Sequence, residues 1–284
     1  MKRVTVLVVA LVMSLCLVGL LSGCSSQDYT PQKKSQVIKD SSLNTKETLR
    51  VGVDASNAPY AVESSGVIVG IDVDIAAALA DELGLKLELV DVGTDVANAF
   101  SKEDVDIVMG VKAQGSSYWL SESYMSSAVA LFSPSSSTKV PAATDTFTVA
   151  AQSSSMSAWE VSDRLGQAHL KTANDLQGAF SSLSSGSVNF VAADSTIGAY
   201  VAHSSNVEAY PIALLQDPVS YGIAVSSENT AVQSAVSKAL ASLKSGGIVS
   251  VIEKKWLGDP ADLSALSLIQ SQVTPATTTP TTTS

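Results

Sequence analysis

Two serines at the start of a predicted helix, Ser154 and Ser155, occupy a position that suits anion binding. The backbone N–H groups of a helix's first turn have no partner within the helix, and the helix dipole adds to their attraction for a carboxylate. Hydroxyl groups at that place can add hydrogen bonds to the same anion. N-capping by one serine explains the same residues without a ligand. The pattern therefore predicts a cap, an anion-binding loop or both.

Histidine and cysteine are too scarce for several kinds of chemistry. The chain has two Cys and two His, which is too few for a zinc framework or a disulfide scaffold. His169 and His203 fall in predicted surface helix or loop, and neither has a nucleophile nearby. We therefore expect no metal site, no cofactor and no catalytic residues.

Composition excludes two broad classes of protein. The 284 residues suit two domains better than one, and 45% of them are hydrophobic, which excludes global disorder. The formal net charge is −10, with 17 basic and 27 acidic residues. Nucleic-acid binding needs clustered cations to replace condensed counterions, so a nucleic-acid partner is not expected.

The first residues have the parts of a secretory signal. Lys2 and Arg3 precede an apolar run over 4–21, and Leu21-Ser22-Gly23-Cys24 resembles a bacterial lipobox. Residues 1–23 would be removed, and Cys24 would carry the lipid that holds the protein outside the cytoplasm, at the cell membrane. Removing Lys2 and Arg3 leaves 15 basic and 27 acidic residues and a net charge of −12. An uncleaved transmembrane anchor is the alternative, because eighteen apolar residues just span a bilayer.

Polar segments flank the globular part of the chain. Residues 24–46 show no apolar period and are expected to form a flexible tether. Residues 269–284 are expected to be a disordered tail, since the last eleven include seven Thr and two Pro. O-glycosylation or threading through a cell wall is the alternative for this end.

Strand and helix patterns alternate between these segments. We expect strands at 49–53, 67–71, 85–92, 105–109, 146–151, 188–193 and 219–225, and helices at 74–83, 176–183 and 231–243, with further helices beginning after Ser153 and at Thr196. This alternation predicts an α/β fold with mainly parallel strand pairing.

The order of several short motifs resembles the solute-binding proteins of polar amino acid ABC importers. The opening strand is followed by Asp54 and Pro59-Tyr60, and residues 70–76 match the family's GFDVDLA signature. Residues 152–155, 188–194, 221–225 and 255–258 match further family motifs. The motifs are not specific one by one, so their order and spacing over 47–258 carry the resemblance.

The resemblance implies an α/β, two-lobed fold of the type II periplasmic-binding-protein class. Each lobe would be a mainly parallel sheet flanked by helices, with residues 47–135 and 220–265 in the first lobe and 138–218 in the second. Two hinge strands would join the lobes, with the chain crossing near 133–139 and again near 218–221. Ligand binding in the cleft would then be coupled to lobe closure.

The resemblance also implies roles for residues at the cleft. Asp194, and with less support Asp54, would bind a ligand ammonium, because a buried charge needs a partner. Capping of the helix that begins at Ser195 or Thr196 is the alternative for Asp194. The loop Gln152–Ser155 would contact the ligand carboxylate.

Two departures from the family affect the first lobe's side of the cleft. The family has an arginine in its "MTITPER"-type loop, whereas Met109-Gly110 here lead to Lys112, which lacks the planar guanidinium fork. A solvated surface lysine is the alternative for Lys112. Asn57 stands where the family often has an aromatic residue that stacks on the ligand. Tyr60 is a nearby aromatic that could substitute; a core or hinge residue is the alternative.

The implied function is that of a lipid-anchored substrate-binding component of an ABC importer. It would capture a small polar solute, an amino acid or a derivative, and pass it to a permease and ATPase complex without catalysing a reaction. Two alternatives remain on the same scaffold: a sensor or surface interaction protein that lost the ligand, and a dehydratase-type enzyme. An enzyme would need a general acid or base in the cleft.

Overall fold

The computed structural model describes residues 34–102, 105–113, 115 and 117–271. Cys24 and the predicted signal peptide lie outside the described residues, as do residues 272–284. The strands are β1 Thr48–Val53, β2 Ser56–Asn57, β3 Ala61–Ser64, β4 Val67–Val69, β5 Lys86–Asp91, β6 Ile107–Val111, β7 Tyr118–Leu120, β8 Met125–Ser127, β9 Val129–Ser133, β10 Val149–Gln152, β11 Leu170–Ala173, β12 Phe190–Asp194, β13 Tyr210–Leu214 and β14 Val219–Ser226. The α-helices are α1 Ile71–Glu82, α2 Val96–Ser101, α3 Met156–Val161, α4 Leu176–Ser184, α5 Ser195–Ser204, α6 Thr230–Ser245 and α7 Ile248–Leu257.

The first lobe is built on a six-stranded sheet with the order β5-β1-β6-β14-β7, and β8 pairs with β14 beside this path. β1 pairs in parallel with β5 and β6, whereas β14 runs antiparallel to β6, β7 and β8. The helices α1, α6 and α7 pack together and cover one apolar face. The central strand β6 is buried except at Gly110, as expected for a strand with helices on both faces.

The second lobe is built on a five-stranded sheet with the order β11-β10-β12-β9-β13. β10 lies parallel to β11 and β12, whereas β9 is antiparallel to both β12 and β13. Apolar residues cover both faces, so this lobe has a core of its own on each side of the sheet. The two-lobed α/β architecture agrees with the fold class expected from the sequence. The expected mainly parallel pairing is wrong, because β9, β13 and β14 pair antiparallel with their neighbours and make both sheets mixed.

The first crossing between the lobes differs from the sequence prediction. Ser127, the last residue of β8, pairs with Val219 in the first lobe, and Val129 already pairs with Asp194 in the second. The chain therefore changes sheets at Ala128, and the predicted crossing at residues 133–139 and the first-lobe boundary at residue 135 are wrong. The apolar run Val129–Ser133 is fully buried as β9, so hydrogen bonding and burial place it inside the second sheet.

The predicted tether over residues 24–46 is wrong for residues 34–46, which pack on the first lobe. Ile38 is 3% exposed in that lobe's core, and the Val37 N–H donates to the Leu83 carbonyl at 3.0 Å. Gly84 has φ +70°, and a Cβ there would lie 2.6 Å from the Lys34 carbonyl oxygen. This glycine therefore permits both the end of α1 and the close approach of the incoming segment.

The predicted start of the tail at residue 269 is also wrong. Ile269 is 6% exposed and belongs to the second lobe's core, and its N–H donates to the Leu214 carbonyl at 2.8 Å. The Arg164 Nη1 donates to the Ile269 carbonyl at 2.8 Å. The chain thus returns from α7 in the first lobe to the second lobe, since an apolar Ile269 finds a buried site there.

Within the described ranges, no single helix is long and apolar enough to cross a membrane. The pair α6 and α7, bent by 67°, meets that test of length and composition only when the two helices are taken together.

Candidate functional site

Tyr221, near the start of β14, lies between two predicted site residues, Tyr60 and Lys112. We call these three residues the Tyr221 cluster. The Tyr60 ring stacks on the Tyr221 ring with centroids 5.2 Å apart. The Lys112 Nζ lies 5.3 Å from the Tyr221 centroid, a cation–π distance. Lys112 is exposed, whereas Tyr60 and Tyr221 are buried. The Tyr221 cluster thus places the Lys112 ammonium over the face of the Tyr221 ring in the first lobe.

The Tyr60 hydroxyl is a buried polar group that lacks a hydrogen bond within the part of the chain that the structure describes. Burial raises its pKa most, and the charge of Asp194 raises it further. The Thr196 side chain is close enough to lower the pKa of Tyr60 in part, although the two side chains do not form a hydrogen bond. Because Tyr60 belongs to the first lobe and Asp194 to the second, the two lobes approach each other at this hydroxyl.

Asp194 caps helix α5, which is the alternative that the sequence left open. Its Oδ1 accepts hydrogen bonds from the Thr196 and Ile197 N–H groups, both at 3.0 Å. The same oxygen accepts from the Ser127 hydroxyl at 2.8 Å, so one carboxylate oxygen joins α5 to β8. Capping at Oδ1 does not compete with a ligand at the second oxygen, Oδ2.

The loop before α3 is exposed at Gln152 and Ser154 and half-buried at Ser155. Ser155 is the N-cap of α3: its Oγ accepts from the Ala158 N–H at 3.1 Å and donates to the Gln152 carbonyl at 2.7 Å. Ser154 has φ +58°, a left-handed conformation that is uncommon outside glycine. The capping prediction is confirmed, and anion binding by this loop stays a prediction.

Asp54 directly follows β1, and Asn57 ends the short strand β2 on the way to Tyr60. The Asp54 Oδ1 accepts from the Ser56 hydroxyl at 2.6 Å, and the Asn57 carbonyl accepts from the Tyr60 N–H at 2.9 Å. These bonds fix the turn and leave the Asn57 side chain exposed. Contact of either side chain with a ligand stays a prediction.

A buried hydrogen-bond chain behind the cluster was not found from the sequence. The Tyr124 hydroxyl donates to the Asp72 Oδ1 at 2.6 Å and accepts from the Gly110 N–H at 2.9 Å. Asp72 is 4% exposed, and burial raises its pKa to about 6 although the Tyr124 hydrogen bond opposes the shift. Tyr221 was missed as a site residue too, although it begins one of the family motifs; nothing in the sequence links Tyr124 to Gly110.

One cavity in the described structure is a groove of about 660 Å³ whose lining does not include Tyr60, Lys112 or Tyr221. It runs between α5 and α7 and is lined by His203, Glu208 and Glu253 among others, and it includes none of the predicted site residues. Burial raises the pKa of Glu253. Among the described residues, no group of three or more His, Cys, Asp or Glu could hold a metal ion.

Comparison with known proteins assigns the family. The model for bacterial extracellular solute-binding proteins, family 3, matches residues 49–259. The chain belongs to this family. The match includes every predicted site residue of the cleft and ends before the segment at Ile269. No curated protein matches the chain.

Solved structures of the same kind share its fold. An ancestral cationic amino acid solute-binding protein is 26% identical, with 74% of this chain and 96% of that chain covered and a TM-score of 0.60. A polar amino acid ABC uptake transporter substrate-binding protein from Streptococcus thermophilus is 20% identical, with 78% and 90% covered and a TM-score of 0.69. The second substrate-binding domain of Lactococcus lactis GlnP, in open conformation, is 23% identical, with 76% and 97% covered and a TM-score of 0.61.

Proposed function

We propose that the protein is the lipid-anchored substrate-binding component of an ABC importer and captures a small polar solute, an amino acid or a derivative, between its lobes. A zwitterionic ligand needs partners for both of its charges, because burying either one alone costs several kcal/mol. Lys112 supplies a cation in the first lobe, and Asp194 supplies a carboxylate in the second.

The proposal rests on one observation: the Lys112 ammonium and the Asp194 carboxylate both lie close to the stacked pair of Tyr60 and Tyr221. The Tyr60 hydroxyl, which has no hydrogen-bond partner among the described residues, is buried beside the charge of Asp194, and the Tyr60 ring stacks on Tyr221 under the Lys112 ammonium. A buried hydroxyl without a partner is costly, which suggests that a ligand group or lobe closure completes its hydrogen bonding. Further contacts with the ligand would come from Asp54, Asn57 and the loop Gln152–Ser155.

The amino acid class is supported by the family and by the ancestral cationic amino acid solute-binding protein, which matches at 26% identity. A non-catalytic role fits the histidines of the second lobe. His169 stacks on Phe147, with both ring nitrogens facing backbone carbonyl oxygens, and His203 is exposed on α5. Neither histidine is part of the Tyr221 cluster.

A thermal-shift screen of the purified protein against amino acids, dipeptides and other polar metabolites tests the proposal. We expect one chemical class to stabilise the protein, since a ligand at a hundred times its Kd adds about 2.7 kcal/mol to the free energy of unfolding. For a chain of this size that corresponds to a rise in Tm of roughly 5–10 °C. If no amino acid or derivative shifts the Tm, the proposal fails and the interaction-protein alternative is favoured.

The lipid anchor is proposed at Cys24 and rests on the lipobox-like residues 21–24. We expect cells that express the chain to incorporate a labelled fatty acid into it, and the Cys24→Ser variant to lose both the label and its membrane association. Membrane retention of Cys24→Ser without label would instead indicate the uncleaved apolar segment as the anchor.

A further inference from the structure

We propose that Asp72, acting through Tyr124, positions the Gly110–Lys112 segment for ligand binding, so that ligand affinity depends on the ionisation of Asp72. This inference rests on the proposed function, because Lys112 is the cation proposed for the ligand carboxylate. Asp72 and Tyr124 are positioning residues and are not expected to touch the ligand.

The Gly110–Lys112 segment begins at an irregularity in the pairing of β6 with β14, where the regular pattern of hydrogen bonds between the strands is interrupted. Val111 pairs with Gly222 and Val108 pairs with Ala224, so two residues of β6 face one residue of β14. This is the arrangement of a β-bulge, which bends a strand and redirects the side chains that follow it. Gly110 lies in the bulge with φ +73°, and Lys112 is the second residue after it.

Gly110 is fixed in the bulge by the buried pair behind it. Its N–H donates to the Tyr124 hydroxyl at 2.9 Å, and a Cβ at Gly110 would lie 3.1 Å from the Asp72 Oδ2. The 2.6 Å bond from Tyr124 to Asp72 has the length typical of a hydroxyl that donates to a carboxylate. An ionised Asp72 can only accept, so it holds the Tyr124 proton and leaves the hydroxyl oxygen free for the Gly110 N–H.

Protonation removes this directionality. A neutral Asp72 can donate to Tyr124, and the phenolic proton then no longer has a fixed acceptor. Tyr124 is the titratable group in contact with Asp72, and Tyr60 acts on Tyr124 in turn. The nearby charges of Asp74 and Lys255, on α1 and α7, pair with each other at 2.6 Å.

Burial makes the charged form of Asp72 less favourable in the folded chain. Its pKa in the folded chain is about 6, compared with 3.8 for the ordinary value, so the folded state binds this proton more strongly than the unfolded chain. The resulting stabilisation is fully present below the ordinary value and is lost as the pH rises through about 6. At neutral pH the ionised, buried carboxylate is therefore unfavourable for folding.

Two variants and a matched control test the inference. Asp72→Asn keeps the shape and removes the charge, and Tyr124→Phe removes the hydroxyl. We expect each to raise the Kd of the stabilising ligand at pH 7.5 by about tenfold, since each weakens a charge-assisted hydrogen bond. Asp106→Asn is the control, because Asp106 is equally buried in the same lobe but accepts from the Asn44 and Arg50 N–H groups instead.

The pH profile provides a readout that a purely structural role would not move. We expect the wild-type Kd to rise as the pH falls from 7.5 to 5, with a midpoint near 6, and Asp72→Asn to lose this dependence. An unchanged Kd in both variants, or the same pH profile in Asp72→Asn, would overturn the inference while leaving the proposed function intact.

A ligand-free measurement separates the two proposals. We expect the Gly110 and Lys112 amide signals in NMR spectra to titrate with a midpoint near pH 6 in the wild type and not in Asp72→Asn. Flat signals in the wild type would overturn the inference even if no ligand were identified. A titration in the wild type with no ligand in the screen would retain the coupling and reject the proposed function.

Discussion

Replacing Asp194 with Asn is expected to weaken the binding of an amino acid by about two to three orders of magnitude, because it leaves a buried ammonium without its counter-charge. Asn is as good an N-cap as Asp, so α5 should keep the hydrogen bonds from Thr196 and Ile197. Isothermal titration calorimetry with the ligand from the screen measures the loss, and circular dichroism checks the fold.

Asp175→Asn is the matched control for this experiment. Asp175 caps α4 in the same lobe, where its Oδ1 accepts from the Gly178 N–H at 2.7 Å, but it has no contact with the Tyr221 cluster in the described structure. We expect this variant to bind normally. A normal Kd in Asp194→Asn would limit Asp194 to its capping role and remove it from the ligand site.

Phe132→Ala is expected to destabilise the second lobe by about 3–5 kcal/mol, the usual cost of removing a buried Phe side chain. Phe132 is fully buried on β9 and meets Phe180 of α4 edge to face, with centroids 5.4 Å apart. It also packs against Gly198 of α5, where a Cβ would lie 2.8 Å from its ring. The Phe132 ring therefore packs the sheet of the second lobe against α5, the helix that Asp194 caps.

Urea unfolding followed by circular dichroism measures this effect. Trp159→Ala is the control, because Trp159 is 60% exposed in the same lobe and surface changes usually stay within about 0.5 kcal/mol. Because α5 would lose its support, we also expect weaker ligand binding in Phe132→Ala. A loss of stability below about 1 kcal/mol would show that the lobe repacks around the gap.

The fold was predictable from sequence where one chemical pattern dominates a segment. The apolar positions at Ile75, Leu79 and Leu83 and the glycine at residue 84 predict a helix, and the structure has α1 ending one residue before Leu83. The run at 188–193 predicts a strand, observed as β12. Burial and backbone propensity agree in these segments, so local sequence is sufficient.

Segments whose position depends on distant partners were not predictable in the same way. Val129–Ser133 is apolar, but which sheet it joins depends on pairing with β12 and β13, far along the chain. Ile38 and Ile269 each follow one apolar residue, Val37 and Leu268, within short segments between polar residues, and only the folded lobes provide the sites that bury them. Polar composition alone therefore misplaced both ends of the globular part.

The site shows the same division. The family resemblance indicated Asp54, Gln152 and Asp194, which end or follow strands. Tyr60 and Lys112 were predicted as substitutes where the sequence departs from the family. The stacking of Tyr60 on Tyr221 and the chain from Asp72 to Gly110 depend on tertiary contacts between residues with no regular spacing.

A crystal structure of the protein with the amino acid that stabilises it most is the direct test of the central claim. We expect the ligand between the two sheets, with its ammonium at Asp194, its carboxylate at Lys112 and the Tyr60 hydroxyl within hydrogen-bond distance of a ligand atom or a residue of the second lobe. A ligand bound instead in the groove between α5 and α7, with the Tyr221 cluster unoccupied, would contradict the account.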